Sequence, residues 1–154
     1  METKTISFHE NKSTINTVKY LYEQFGWTFS KELEQDVSQE YTIRKIELVR
    51  KEEFSKLDDL RNLEKQFDST FNEFDSLNEP KNPFSLWVLF FLFILGAVPA
   101  LIYAFSVYPS QKHWNDYLLP EFRKKQMELI KKRNDLAEQS SQIIKQININ
   151  LEQK

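Results

Sequence analysis

The chain has no cysteine and only two glycines in 154 residues, and each scarcity excludes a class of site. Without cysteine there is no disulfide framework, thiolate metal site or cysteine nucleophile. Gly26 and Gly96 are far apart, so the glycine-rich loops that cradle nucleotide phosphates in dinucleotide-binding and P-loop folds are absent as well. Basic residues number 21 against 23 acidic ones and the pI is about 5.8, so no basic footprint for nucleic acid is expected.

Residues that usually carry catalysis or bind metals are few and scattered. The only histidines, His9 and His113, are far apart in sequence. Adjacent carboxylates such as Glu52 and Glu53 point about 100° apart on a helix, so they do not converge as an acid/base pair. We therefore expect a non-enzymatic protein with no catalytic residue, cofactor, metal site or small-molecule substrate.

One long uncharged run contrasts with the mean hydropathy of −0.58 for the chain. Residues 84–108 contain no Asp, Glu, Lys or Arg and read FSLWVLFFLFILGAVPALIYAFSVY. As a helix this run would be roughly 38 Å long, more than the ~30 Å hydrocarbon core of a bilayer. The sequence predicts a single transmembrane helix kinked at Pro99, in an integral, single-pass protein of the cell membrane.

A re-entrant hairpin is the alternative for this run. The stretch Gly96–Pro99 could bend the chain back and leave both flanking parts on one side of the bilayer. Each arm would then have only about 12 residues, fewer than the ~20 of a spanning helix. The single kinked span is therefore preferred, and its orientation stays open.

The run divides the chain into an acidic part and a basic part. Residues 1–83 carry a net charge of −5 and residues 109–154 a net charge of +3. The expected fold class is a mainly α membrane protein with a small α+β module. The expected segments are an α+β module at 1–53, a coiled-coil helix at 54–78, a proline hinge at 79–83, the transmembrane segment at 84–108 and a basic amphipathic helix at 109–154.

The first 50 residues carry the pattern of a βαββ module. TKTISF alternates like a short strand, and apolar residues spaced by three and four predict a helix that ends at Gly26. Residues 27–33 and 41–49 are rich in aromatic and β-branched side chains, which favours two further strands. A helix through the same region is the alternative. The preferred interpretation is one helix packed on a three-stranded antiparallel sheet.

The segment 54–78 has the heptad pattern of a packing helix. Ser55 and Asp58 resemble a capping box at its beginning. Its apolar face needs another helix, so a homo-oligomer or a partner helix is expected. The face consists of Leu60, Leu63, Phe67, Phe71, Phe74 and Leu77.

Aromatic and basic residues flank the uncharged run. Pro109 is expected to end the helix, and amphipathic rings are typical of the headgroup region of a bilayer. The predicted interfacial residues are Trp87, His113, Trp114 and Tyr117. Basic side chains near an anionic leaflet are worth about 1 kcal/mol each. The predicted headgroup-binding residues are Lys112, Arg123, Lys124, Lys125, Lys131, Lys132 and Arg133.

Four stretches carry a resemblance to a group of proteins. They are YLYEQFGWTF, YTIRKIELVRK, LRNLEKQFDS and VPALIYAF. In their order along the chain they resemble small uncharacterised membrane proteins of low-GC bacteria. Those proteins combine an N-terminal α+β module, charged helices and one apolar segment, and the resemblance implies no activity.

Two functional hypotheses follow. The first is a membrane-anchored, non-enzymatic scaffold or adaptor that acts through helix packing. The second is a membrane-remodelling or phage/toxin-type protein whose basic C-terminal helix binds anionic lipid. The lipid bilayer is a partner in both.

Overall fold

The computed structural model describes residues 1–37, 42–51 and 58–152, with side chains up to residue 149. The chain divides into two compact units. Unit 1 comprises Met1–Ser76 and Leu129–Lys154, and unit 2 comprises Leu77–Glu128. The predicted capping residue Ser55, the predicted boundary at 53/54 and the first residue of the predicted strand 41–49 lie outside the described residues.

Unit 1 contains an antiparallel sheet in the order β1-β4-β2. The strands are β1 (Glu2–His9), β2 (Thr28–Glu32) and β4 (Thr42–Arg50), and the two-residue β3 (Asp36–Val37) also pairs with β4. The strands predicted near 3–8, 27–33 and 41–49 are thus confirmed over the described residues. The helical alternative is wrong at residues 36–37 and 42–48, which form strands. Stiff β-branched residues prefer this pleated surface.

The register of β1 against β4 places one face of the sheet on the core. Ile6 lies opposite Ile46, and Lys4 lies opposite Leu48. Ile6, Ile46 and Leu48 are buried, while the alternate residue Thr5 is exposed. Side chains alternate between faces along a strand, so the core-facing set includes polar residues at one end, among them Lys4 and its neighbours Glu2 and Arg50.

Three helical segments contribute to the same core. Helix α1 (Ile15–Glu23) is capped by the Thr14 side chain, which accepts a hydrogen bond from the backbone N–H of Thr17, and it ends before Gly26, whose φ is 76°. The predicted termination at Gly26 is confirmed. Helix α2 (Asp58–Ser76) and the unit-1 part of the last helix add Phe67, Phe71, Leu136 and Ala137 to the core.

Unit 2 is built on the uncharged run, which forms two helices. Helix α3 (Leu86–Leu95) ends at Gly96, and helix α4 begins at Ala97 and continues to His113. Gly96 has φ 134° and ψ 155°, a conformation that residues with a Cβ rarely adopt. A π-helical segment (Trp114–Leu118) and helix α5 (Leu119–Glu152) follow.

The prediction of one kinked transmembrane helix is wrong. Within the described ranges, no helix is both long enough and apolar enough to cross a membrane. The interruption lies at Gly96, and Pro99 stands in the first turn of α4, where a missing N–H costs no helical hydrogen bond. Helix α3 has ten residues, about 15 Å.

Three further predictions are wrong, like that of the transmembrane helix. The fold class is not a mainly α membrane protein, because a four-stranded antiparallel sheet forms the centre of an α+β unit. The single-pass integral placement in the cell membrane has no helix to support it in the described part of the chain. Pro109 does not end a helix, since it lies inside α4.

Candidate functional site

The surface of the α3–α4 segment is apolar to an extent that no other described part of the chain approaches. Thirteen of the twenty exposed large apolar side chains in the described residues lie between Leu86 and Tyr108, so this surface is a concentrated patch. Trp87 is 77% exposed, Leu95 75% and Phe105 76%. Helix α3 buries none of its side chains, and α4 buries only Ala100. Contiguous apolar surface of this kind marks a site of association.

Helices α3 and α4 form an antiparallel hairpin with Gly96 at its tip. The backbone N–H of Ser85, the N-cap of α3, donates to the hydroxyl oxygen of Tyr103 at 3.0 Å. The rings of Phe84 and Tyr103 lie 6.0 Å apart between centroids. Residues just before α3 therefore contact the middle of α4. In a continuous helix these two regions would be far apart.

Polar residues close the base of the hairpin. The indole Nε1–H of Trp114 donates to the carbonyl oxygen of Pro80 at 2.9 Å. A cleft of about 430 Å³ lies beside this contact. It is lined by Lys81, Pro83, Pro109, Ser110, His113, Trp114 and Leu118. The Oε1 atom of Gln111, in the same region, is buried without a hydrogen-bond partner.

The predicted interfacial residues lie at the open end of the hairpin. Trp87 is in the first turn of α3, and His113 and Trp114 lie at the end of α4 and the start of the π-helical segment. Tyr117 is 64% exposed, and the centroid of its ring lies 5.4 Å from that of His113, with the two ring planes tilted by 30°. π-helical turns are frequent at functional sites, because the extra residue redirects side chains. His113, Trp114 and Tyr117 are thus neighbours at the end of α4 and in the π-helical segment, and Trp87 lies in the first turn of α3.

The predicted basic residues separate into two groups. Lys112, Arg123, Lys124 and Lys125 belong to unit 2 and are exposed, although Lys124 lies 4.0 Å from Glu128. Lys131 and Lys132 are exposed on unit 1. Arg133 differs from all of them, since it is only 7% exposed and its guanidinium carbon lies 5.1 Å from the Phe74 ring centroid. Arg133 is therefore not part of an exposed basic cluster.

The predicted packing face of 60–77 is covered within unit 1. Leu60, Phe67, Phe71 and Phe74 are buried, and the first three share a core cluster with α5. Leu63 packs at the edge of that cluster. Leu77 is half-buried and belongs to unit 2. These apolar side chains consequently do not need a second chain for burial.

A buried ion network that the sequence pattern did not indicate joins the sheet to α2. Arg50 donates to Glu64 at 2.8 Å and to Glu2 at 2.9 Å, and its guanidinium lies 4.3 Å from the Trp27 ring. Glu64 also accepts from Lys4 at 2.5 Å and from Trp27 at 3.1 Å. Every charge in this network is paired, so the network is suited to holding α2 on the sheet rather than to acid/base chemistry.

The network extends to a buried tyrosine of α1. The hydroxyl of Tyr22 donates to Asp68 at 2.9 Å, and Lys4 donates to the other carboxylate oxygen at 2.6 Å. Burial, followed by the negative charge of Asp68, raises the pKa of Tyr22 well above its ordinary value. Tyr22 is thereby held as a neutral hydrogen-bond donor.

His9 contacts a carboxylate of α2. His9 Nδ1 lies 2.7 Å from Asp75 Oδ2, and the His9 backbone N–H donates to the other oxygen of the same carboxylate. Lys12 donates to the carbonyl oxygen of Asp75. Across residues 1–37, 42–51 and 58–152, no three His, Asp or Glu side chains are grouped to hold a metal ion.

The chain was compared with protein-family models, with curated proteins and with solved structures, and none of these comparisons gave a match.

Proposed function

We propose that this chain is a non-enzymatic adaptor that associates with a lipid bilayer surface through the α3–α4 hairpin. In this proposal the hairpin enters one leaflet and does not cross it, and unit 1 is the part that is presented at the surface. The observation that carries the proposal is the exposed, uncharged surface of residues 84–108.

Lipid fits this surface better than a second protein does. A protein partner covers one face of a helix, whereas every residue of α3 is apolar and none is buried. Burial of thirteen large apolar side chains, at about 1 kcal/mol each after their partial exposure is considered, amounts to a free energy on the order of 10 kcal/mol. The hydrocarbon of a bilayer surrounds a helix and can bury its apolar side chains on all sides.

The length of helix α3 fits one leaflet. Helix α3 is about 15 Å long, half of the ~30 Å hydrocarbon core. Two backbone donors at the open end have partners: the Ser85 N–H donates to the Tyr103 hydroxyl oxygen, and the Val88 N–H donates to the Ser85 hydroxyl oxygen. Trp87, Trp114 and Tyr117 then lie where aromatic rings meet headgroups.

Charge at the base gives a secondary preference for anionic lipid. Lys81 and His113 line the basal cleft, and exposed Lys112 is adjacent to it in sequence. Asp116 lies in the π-helical segment and Glu121 in the first turn of α5, so the excess positive charge in unit 2 is small. We therefore expect binding to neutral vesicles that anionic lipid strengthens only moderately.

Vesicle flotation of the full chain tests the proposal. The parent chain should float with phosphatidylcholine vesicles, and Phe91→Glu or Ile94→Lys should reduce the floating fraction at least tenfold, because a charge in the hydrocarbon core costs about 2.5–3.5 kcal/mol. Both residues are exposed, so the substitutions leave the packing of unit 1 unchanged. The matched control is Val37→Glu, at an exposed apolar residue outside the hairpin.

Three outcomes would contradict the proposal. Equal flotation of the parent chain and both hairpin variants would show that the hairpin is not the lipid-binding element. Flotation that disappears in Arg123→Gln/Lys124→Gln/Lys125→Gln but persists in Phe91→Glu would favour the basic helix instead. A dimer in sedimentation of vesicle-free protein that Phe91→Glu dissociates, without flotation of the parent chain, would assign the patch to a second copy.

Accessibility to a membrane-impermeant maleimide distinguishes insertion from crossing. The chain has no cysteine, so Glu79→Cys and Lys112→Cys each introduce a single reactive thiol at an exposed residue on either side of the hairpin. In sealed vesicles both variants should react to the same extent. Reaction of only one of them would mean that the segment crosses the bilayer and would overturn the hairpin insertion.

A further inference from the structure

A cleft in unit 1, outside the hairpin, is formed by the facing sides of α1 and α5. Its volume is about 600 Å³. Thr17, Tyr20, Leu21 and Gln24 line it from α1 at the spacing of one helix face. Arg133, Asn134, Ala137, Glu138, Ser141 and Lys145 line it from α5.

The two walls are joined by a specific contact. The hydroxyl of Ser140, which is fully buried, donates to the carbonyl oxygen of Gln24 at 2.6 Å. Leu21 and Ala137 belong to the same hydrophobic core cluster. The cleft is thus a fixed feature of unit 1, with an apolar floor and polar residues at its rim.

Arg133 is the unusual group in this cleft. The residue is 7% exposed, yet its Nε atom has no hydrogen-bond partner, and no carboxylate pairs with its guanidinium among the described residues. The Phe74 ring, 5.1 Å away, is the contact that partly offsets the buried charge. Burial lowers the pKa of Arg133 from its ordinary value. A buried guanidinium without an ion-pair partner destabilises the fold unless an anion binds to it.

We propose that the α1–α5 cleft binds a small organic carboxylate, whose two oxygens accept hydrogen bonds from two N–H groups of the Arg133 guanidinium. These two N–H groups are parallel and match the spacing of a carboxylate. Thr17, Asn134 and Ser141 supply hydroxyl and amide groups for the rest of the molecule, and Leu21 and Ala137 supply apolar contact.

The charge balance favours a monoanionic carboxylate over phosphate. Glu138 also lines the cleft and repels a dianion more strongly than a monoanion. The second cation of the cleft, Lys145, lies twelve residues further along α5, about 18 Å in helix rise. An anion at the Arg133 end of the cleft is therefore bound by a single cation, Arg133. This site does not depend on lipid association of the hairpin.

The Nε–H resonance of Arg133 in the full chain, kept in neutral detergent micelles, reports binding directly. Sodium acetate should shift this resonance saturably, whereas sodium chloride at the same ionic strength should not. Inorganic phosphate should bind at least tenfold more weakly than acetate. Absence of any saturable shift at tens of millimolar acetate overturns the site, and preference for phosphate overturns the assignment to a carboxylate.

Substitutions at Arg133 separate binding from folding. Arg133→Met should weaken acetate binding, measured by calorimetry, ten- to hundredfold, because charged hydrogen bonds are lost. Without acetate its unfolding temperature should equal or exceed that of the parent, because a buried unpaired charge is removed. Arg133→Lys keeps the charge but not the paired N–H groups, and it should also weaken binding.

Lys132→Met is the matched control, since Lys132 is the exposed neighbour of Arg133 on the same helix. It should leave acetate binding within twofold of the parent. Unchanged binding in Arg133→Met, or equal loss in Lys132→Met and Arg133→Met, would show that Arg133 does not hold the anion.

Discussion

Arg50 and Glu64 form a buried ion pair between β4 and α2, with Nη1 2.8 Å from Oε2 and side chains that are 1% and 9% exposed. The two residues come from opposite sides of the core, and each has further partners: Glu2 for Arg50, Lys4 and Trp27 for Glu64. The pair joins α2 to the sheet, and its burial makes the loss of either partner costly.

Glu64→Gln should therefore destabilise the chain strongly. The substitution leaves Arg50 and Lys4 without their shared carboxylate, and breaking a buried pair costs about 3–5 kcal/mol. Chemical denaturation of the full chain measures the loss. Glu47→Gln is the matched control on the sheet surface, where the pair with Lys31 is worth about 0–1 kcal/mol. A loss in Glu64→Gln no larger than in Glu47→Gln would contradict the structural role of the pair.

The raised pKa of Tyr22 predicts that the folded chain loses stability at alkaline pH. Its pKa is raised in the folded chain, mainly by burial and then by Asp68, so above about pH 10 the unfolded chain releases the phenolic proton while the folded chain keeps it. The unfolded state then binds fewer protons, and the free energy of unfolding falls as pH rises. Thermal unfolding between pH 8 and 11 should show this fall.

Tyr22→Phe should lower stability at pH 8, because the hydrogen bond to Asp68 is lost, and should flatten the decline above pH 10. Tyr20→Phe serves as the control, since the Tyr20 ring is exposed and does not share this environment. An alkaline decline that is identical in the parent and in Tyr22→Phe would assign the decline to other groups.

Gly96→Ala should open the α3–α4 hairpin. The glycine has φ 134°, a conformation that costs other residues on the order of 1–3 kcal/mol, although an added Cβ would meet only Pro99 Cδ, at 3.7 Å. The strain is relieved if α3 and α4 join into one helix. Spin labels at Glu79→Cys and Lys112→Cys measure the change by pulsed electron resonance.

The two labels should be close in the parent chain, since Trp114 donates to the Pro80 carbonyl oxygen and Lys81 lines the same cleft as His113. In a continuous helix, the 26 residue steps from Leu86 to Lys112 alone would extend about 39 Å. Ala97→Gly is the control, because it leaves Gly96 in place. An unchanged label distance in Gly96→Ala would show that the reversal does not depend on the glycine conformation.

Ser140→Ala should cost about 1–2 kcal/mol of stability. The substitution removes the donor to the Gln24 carbonyl and leaves that oxygen without this partner at the α1–α5 contact. Ser141→Ala, at the neighbouring half-buried position that lines the cleft, should change stability by less than about 0.5 kcal/mol. Denaturation curves of the two variants test this, and equal losses would contradict the specific role of Ser140.

Local pattern was sufficient for the elements of unit 1. The strand alternation of β1, the helix that ends at Gly26 and the β-branched β4 depend on neighbours in sequence, and the structure has them. The heptad face of α2 likewise indicated burial. The pattern could not predict which residues cover that face. In unit 1 they include Leu136 of α5. Contacts between distant residues leave no period in a single sequence.

Charge and hydropathy alone gave wrong predictions for Arg133 and for the uncharged run. Arg133 stands in a KKR cluster and has the pattern of an exposed base, yet the packing of α5 on the core buries it. The uncharged run is long enough in residues to span a bilayer, but its length as a helix depends on whether the chain continues through Gly96. Hydropathy counts residues and does not register a reversal of direction.

The sequence by itself determined that residues 84–108 are apolar, that the flanks differ in charge and that the first 50 residues alternate between strand and helix periods. Tertiary structure decided that the apolar run folds back at Gly96, that Arg50, Glu64 and Lys4 meet in the core, and that Arg133 lines a cleft with an Nε atom that has no hydrogen-bond partner among the described residues. The reason is physical: periodicity follows from local backbone geometry, whereas a hairpin closure or a buried charge depends on contacts between residues that are remote along the chain.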